Sequence, residues 1–169
     1  MKIIKNHLTS EKIKELSKIK KEPKWMADFR LQAYEAFERI NQPKFGPKLE
    51  LDFDLFTYYK KISNQVENNW DKVDTKIHET FDQIGLIDAE KKYLNGVGAQ
   101  FESEVVYHNM IEELIQKNVI FCDTDTALKK YPDLFQKYFN QLVSYDENKY
   151  TALNSAVWSG GKFIYVPPN

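Results

Sequence analysis

Read for hydrophobic spacing, the chain opens on two helices. Ile13, Leu16 and Ile19 recur at helical intervals after Thr9 and Ser10, either of which can cap the first turn. Pro23 ends that run and suits the first turn of the next, PKWMADFRLQAYEAFERI, where Met26, Phe29, Ala33, Phe37 and Ile40 fall on one stripe. Pro43, Gly46 and Pro47 then break the period. In LELDFDLFTYY apolar and acidic residues alternate around Leu51, Phe53 and Leu55, so the spacing predicts an extended strand or arm. The following NQVENNWDKV reads as a polar loop anchored by Trp70.

Asp74 starts a third helix with Ile77, Phe81 and Ile84 on one face, and Gly85 fits its stop. Asp88 is placed to cap a short helix ending near Asn95 and Gly96. NMIEELIQKN reads as a helix and Val119–Cys122 as a short strand. Thr124 or Asp125 caps TALKKY, Pro132 starts another short helix, and ENKYTALNSAVW is helical. Ser159, Gly160 and Gly161 form a turn, and KFIYVPPN alternates as a strand over Phe163–Val166. The pattern predicts a mostly helical region whose one convincing strand comes last.

Composition narrows the classes. The 169 residues suit one domain, or a domain with a fragment, and 42% hydrophobic content allows a real core. Lys+Arg (24) nearly cancels Asp+Glu (25), so a net charge of -1 gives no general pull toward nucleic acid or an anionic membrane. No apolar run approaches the ~20 residues of a membrane-spanning helix. The opening MKIIKNHLTSEKIKEL turns charged too soon for a secretory signal. With Cys122 as the single cysteine no internal disulfide can form, and a reducing, cytoplasmic setting is the expectation.

Candidate chemistry concentrates in GVGAQFESEVVYHN, Gly96 to Asn109. Read as a strand, it puts Glu102, Glu104 and His108 on one face; read as a helix, it still brings Glu104 and His108 together at i and i+4. Two carboxylates and an imidazole suit a divalent metal or a general acid–base pair. The other histidines, His7 and His78, add no ligand spacing, and the competing reading is a polar strand face with a satisfied histidine. Cys122 precedes Asp123 and Asp125, which oppose a thiolate, so a small buried residue is the expected role. Trp25, Trp70 and Trp158 lack a basic patch and read as core anchors. KIKELSKIKK is interrupted by Glu15 and reads as a solvated helix face, and GGKF lacks the spacing of a phosphate loop.

Two stretches carry a family resemblance. AEKKYLNGVGAQFESEVVYHN (Ala89 to Asn109) and TALNSAVWSGGKFIYVPPN (Thr151 to Asn169) resemble two signatures of the SufB branch of the SufB/SufD family, scaffold proteins of the SUF iron–sulfur cluster assembly system. KKEPKWMADFRLQAYEAF, KFGPKLELDFDLFTYY and NVIFCDTDTALKKYPDL are similar in order to weaker family segments, so the resemblance covers nearly the whole chain. Phe101 stands where the family often has tyrosine, and Cys122 where threonine is common and cysteine also occurs.

The resemblance implies an α+β fold: a helix-rich N-terminal region over residues 1–150, and residues 151–169 leading into the first strand of a truncated right-handed parallel β-helix. It implies a non-enzymatic part in iron–sulfur cluster assembly, played through protein contacts. By resemblance the sulfur-accepting cysteine, the cluster ligands and the docking surface for the SufC-like ATPase lie in parts absent from these residues. No catalytic, cofactor-binding or metal-binding residue is therefore assigned, and no cofactor to this segment; the full-length family is associated with an iron–sulfur cluster and reduced flavin. Implied partners are a SufC-like ATPase, a SufD-like paralogue and a cysteine desulfurase system, without nucleic acid or membrane. The alternative is a small metal-binding protein or metal-dependent enzyme using Glu102, Glu104 and His108. Two further expectations follow: GVGAQFESEVVYHN is a structural seam, and the strand in KFIYVPPN is disordered or paired with another chain.

Overall fold

A computed structural model describes residues 2–47, 49–63 and 65–168. Lys48 of the arm, Asn64 of the polar loop and the terminal Asn169 lie outside the described residues. In chain order the elements are β1 (Ile3–Lys5), α1 (Ser10–Lys20), α2 (Lys24–Arg39), β2 (Thr57–Lys60), α3 (Thr75–Gln83), α4 (Leu86–Tyr93), β3 (Gly96–Phe101), β4 (Glu104–Met110), α5 (Glu112–Gln116), β5 (Ile120–Asp123), α6 (Thr124–Lys130), α7 (Pro132–Tyr138), α8 (Lys149–Val157) and β6 (Lys162–Tyr165). Helices and small antiparallel sheets are mixed, an α+β arrangement. The chain divides into two compact units, Met1–Lys60 with Tyr131–Ser159, and Lys61–Lys130 with Gly160–Asn169.

The first unit is built on helix packing. Thr9 caps α1 by accepting from the Lys12 backbone N–H, and Lys21 closes the helix in the left-handed region. The apolar stripes of α1 and α2 bury Ile13, Leu16, Met26, Ala33 and Phe37. α8 packs along α2, its start fixed by a capping box between Asn148 and Thr151. Arg30 falls in phase with the α2 stripe and is wholly buried, an arginine in a position the spacing gives to an apolar residue. Its guanidinium makes two hydrogen bonds to the Glu22 carboxylate (2.8 and 2.6 Å) and donates to the carbonyls of Ala156 and Trp158. It also lies 4.6 Å over the Trp158 ring. The arm is extended only in part. Phe53–Leu55 form a tight turn, after which β2 pairs antiparallel with β1, a strand too short for periodicity to reveal.

The second unit is built on one hairpin and one long-range antiparallel strand pair. β3 and β4 pair antiparallel, as do β5 and β6. The expected strand at Val119–Cys122 is found one residue later, and the terminal strand one residue earlier. α3 buries Phe81 but leaves Ile84 70% exposed, because the helix has ended at Gln83. α4 starts from Gly85, and Asp88 sits in its first turn rather than at its cap. Asp123 is the capping group of α6, accepting from the Thr126 backbone N–H at 2.8 Å and the Thr126 hydroxyl at 2.5 Å, one residue before the expected Thr124 or Asp125.

The terminal strand departs from expectation more sharply. β6 is neither disordered nor unpaired: Lys162–Tyr165 pair with Ile120–Asp123 of the same chain, in the order Ile120↔Tyr165 to Asp123↔Lys162. The pairing is antiparallel, so it does not make a coil of a parallel β-helix. Ile164 on β6 and Val166 just after it are exposed.

Candidate functional site

The stretch Gly96 to Asn109 folds as a hairpin, and its two faces differ. Glu102 makes the turn with a positive φ of 53°, so it leaves the face that a single straight strand would give it. Register runs from Gly96↔Met110 through Gly98↔His108 and Ala99↔Tyr107, then slips by one residue to Gln100↔Val105 and Phe101↔Glu104. Val106 is the extra residue of a β-bulge. The slip puts Glu104 on the face of Phe101 and Tyr107, while His108 goes to the opposite face with Gly98. The three candidate ligands are therefore not gathered. Among the described residues no group of three or more His, Cys, Asp or Glu side chains is placed to hold a metal ion.

One face of the hairpin is apolar with a polar hub. Val97, Ala99, Val106 and Tyr107 pack with Trp70, Phe81 and Ile87. The Tyr107 and Trp70 rings stack at 3.9 Å. Glu90 of α4 receives the Trp70 indole N–H and the Tyr107 hydroxyl, each at 2.7 Å, and the Asn109 amide at 3.0 Å. Burial first, then the Glu90 carboxylate, push the Tyr107 hydroxyl far above its ordinary range. Trp70 is thus the anchor its isolation in a polar loop implied, whereas Glu90 carries no signal in the sequence.

The other face receives the β5–β6 ladder, whose two strands are separated in the sequence by α6, α7 and α8. A side chain at Gly96 would meet the Phe121 ring at 2.9 Å, and one at Gly98 would meet the Lys162 amine at 2.4 Å. The two glycines are there for close approach. The His108 ring meets Phe121 edge to face at 4.8 Å. His108 Nε2 and Lys162 Nζ are both buried without a hydrogen-bond partner. Burial, then the Lys162 charge, lower the His108 pKa, against Asp123 and a hydrogen bond to the Phe121 backbone. Burial likewise lowers that of Lys162, against Asp123 and Cys122. Cys122 is half-buried, and burial followed by Asp123 pushes its thiol up to about 11, so it stays protonated at neutral pH. Sequence reading passed over Lys162; its one signal is a lysine beginning an otherwise apolar strand directly after two glycines.

Beside this seam an apolar groove of about 690 Å³ runs along Met110, Leu114, Phe121, Ile164 and Val166 to Pro168. Among the described residues no helix is long and apolar enough to cross a membrane.

The SufBD protein N-terminal region family matches residues 8–169, and the chain belongs to that family. It is 55% identical over 163 residues to an iron–sulfur cluster assembly SufBD family protein of Staphylococcus epidermidis, covering 96% of this chain and 35% of the relative. It is 54% identical, with the same coverage, to a protein of the same description from Staphylococcus aureus. The chain thus spans about a third of the length of the curated relatives it matches.

Proposed function

We propose that this chain is the N-terminal part of a SufB-like scaffold for iron–sulfur cluster assembly, acting through protein contacts rather than catalysis. The observation that carries the reading is the family match across residues 8–169. The site is consistent with it: the Cys122 thiol is held protonated, and Glu104 and His108 face opposite ways. In this reading residues 1–150 are the helix-rich region, and residues 151–169 lead toward a parallel β-helix in the longer protein. Exposed Ile164 and Val166 beside the groove supply apolar surface for a following coil to cover. A SufC-like ATPase, a SufD-like paralogue and a cysteine desulfurase system engage the whole protein, in the cytoplasm.

The test has two arms. Protein purified without added metal is assayed for iron and zinc. The chain alone, and the chain continued as in its relatives, are then given iron, sulfide donor and a cysteine desulfurase. The expected result is no stoichiometric metal and no cluster on the chain alone, with a visible-absorbing cluster only on the continued protein. Stoichiometric metal lost on Glu104→Ala or His108→Ala would replace this reading with the metal-site alternative.

A further inference from the structure

The seam between β3–β4 and β5–β6 contains two nitrogen-bearing side chains whose buried ends have no partner. Lys162 Nζ lies over Gly98, and His108 is the residue paired with Gly98 across the ladder. The two side chains therefore enter the same layer from opposite strand pairs. The charged groups facing His108 are Lys162 from β6 and Asp123 from β5. Among the described residues Asp123 is the acid found to act on His108, and both of its oxygens are engaged by Thr126 at the start of α6. Along the outer edge of β4, Glu67 offers its backbone carbonyl to the His108 N–H, while its carboxylate takes the Gln65 amide. Cys122 beside the seam holds its proton. No other described acid is found to offset a second positive charge there, and the ring's hydrogen bond is to the Phe121 backbone.

We propose that the two strand pairs, β3–β4 and β5–β6, form an acid-released latch. A proton added to His108 sets a second cation against Lys162 inside the seam and frees β5–β6 from β3–β4. Docked, the histidine is neutral, Phe121 rests on its ring, and the glycines let the two strand pairs close. Undocked, the imidazolium and the ammonium both reach water. Burial lowers the docked-state pKa of His108, so the docked state binds fewer protons than the undocked one. The docking energy it supports is present above the ordinary histidine value of about 6.5 and is lost as pH falls below it. An isolated pair of strands is marginal by itself, so release also loosens the β5–β6 ladder.

The experiment uses the full chain. Backbone hydrogen exchange is measured from pH 7.5 to 5, as protection relative to the intrinsic rate, with β1–β2 as internal reference and the His108 ring followed by NMR. Protection in β5–β6 should fall at least about threefold while β1–β2 holds, because each unit of pKa difference is worth about tenfold in the equilibrium. Lys162→Met should move the His108 titration up toward the ordinary value and shrink the fall. Titration of His108 at or above the ordinary value would overturn the latch. So would an equal loss in β1–β2, or a fall unchanged in Lys162→Met. Should that variant not fold, the wild-type titration and exchange decide the matter.

Discussion

The two units treat buried positive charge in opposite ways. In the first, Arg30 is wholly enclosed, yet its donors reach Glu22, Ala156 and Trp158, and its flat face meets an indole. In the second, the Lys162 amine is buried with no hydrogen bond at all. A buried charge that is fully bonded locks one arrangement, because every alternative leaves it unpaired. A buried charge left unbonded subtracts from stability and makes its layer the easiest to open. The lesson is that burial alone does not tell a lock from a hinge; the count of satisfied donors does.

The strongest way to break this comparison is Arg30→Met. It strands the enclosed Glu22 carboxylate and two carbonyls, and should cost about 3–5 kcal/mol, read by chemical denaturation followed at the helical circular dichroism signal. A cost under about 1 kcal/mol would mean the pair is not the lock. Next in size, Glu90→Gln keeps one acceptor but turns an amide N–H toward the donors converging from Trp70, Tyr107 and Asn109. A loss of about 1–3 kcal/mol is expected, together with a change in tryptophan fluorescence. Lys162→Met should have the opposite sign to Arg30→Met: a gain on the order of 1 kcal/mol at pH 7, since an unbonded amine is replaced by an apolar chain of similar length. The gain should fade at alkaline pH. Burial lowers the folded-state value of the lysine, so its penalty lifts as pH rises toward its ordinary range. The smallest effect belongs to Cys122→Ser. Melting should change little, and the variant, like the parent, should retain no cluster after gel filtration, since clusters are usually held by several thiolates.

What was legible in the sequence follows from how local each cause is. α1 and α2 are set by side chains three and four residues apart, and their stripes and caps read directly. Arg30 was not read out: it lies in phase with Met26, Ala33 and Phe37, but nothing local marks Glu22 and Trp158 as its partners. β1 is three residues long and exists through pairing with residues more than fifty positions away, which no window captures. β5 and β6 were both visible as strands, but their pairing was not, so the apolar side chains of β6 read as an unpaired end. Glu104 and His108 were found as candidates and misplaced together, because strict alternation takes no account of a bulge.

That bulge has a further consequence. Val106 is a spare link in the chain of β4, a place where length can be absorbed without moving the parts it joins. A related chain one residue shorter between Glu104 and His108 would keep Phe101 opposite Glu104 and Gly98 opposite His108, losing only one valine from the apolar side. The same deletion anywhere else in the hairpin would drag the ladder out of step, unless the slack at Val106 were spent to take it up. Like the expansion joint of a bridge, it gives this hairpin a tolerance for change in length that its tightly fitted glycines deny it for change in volume.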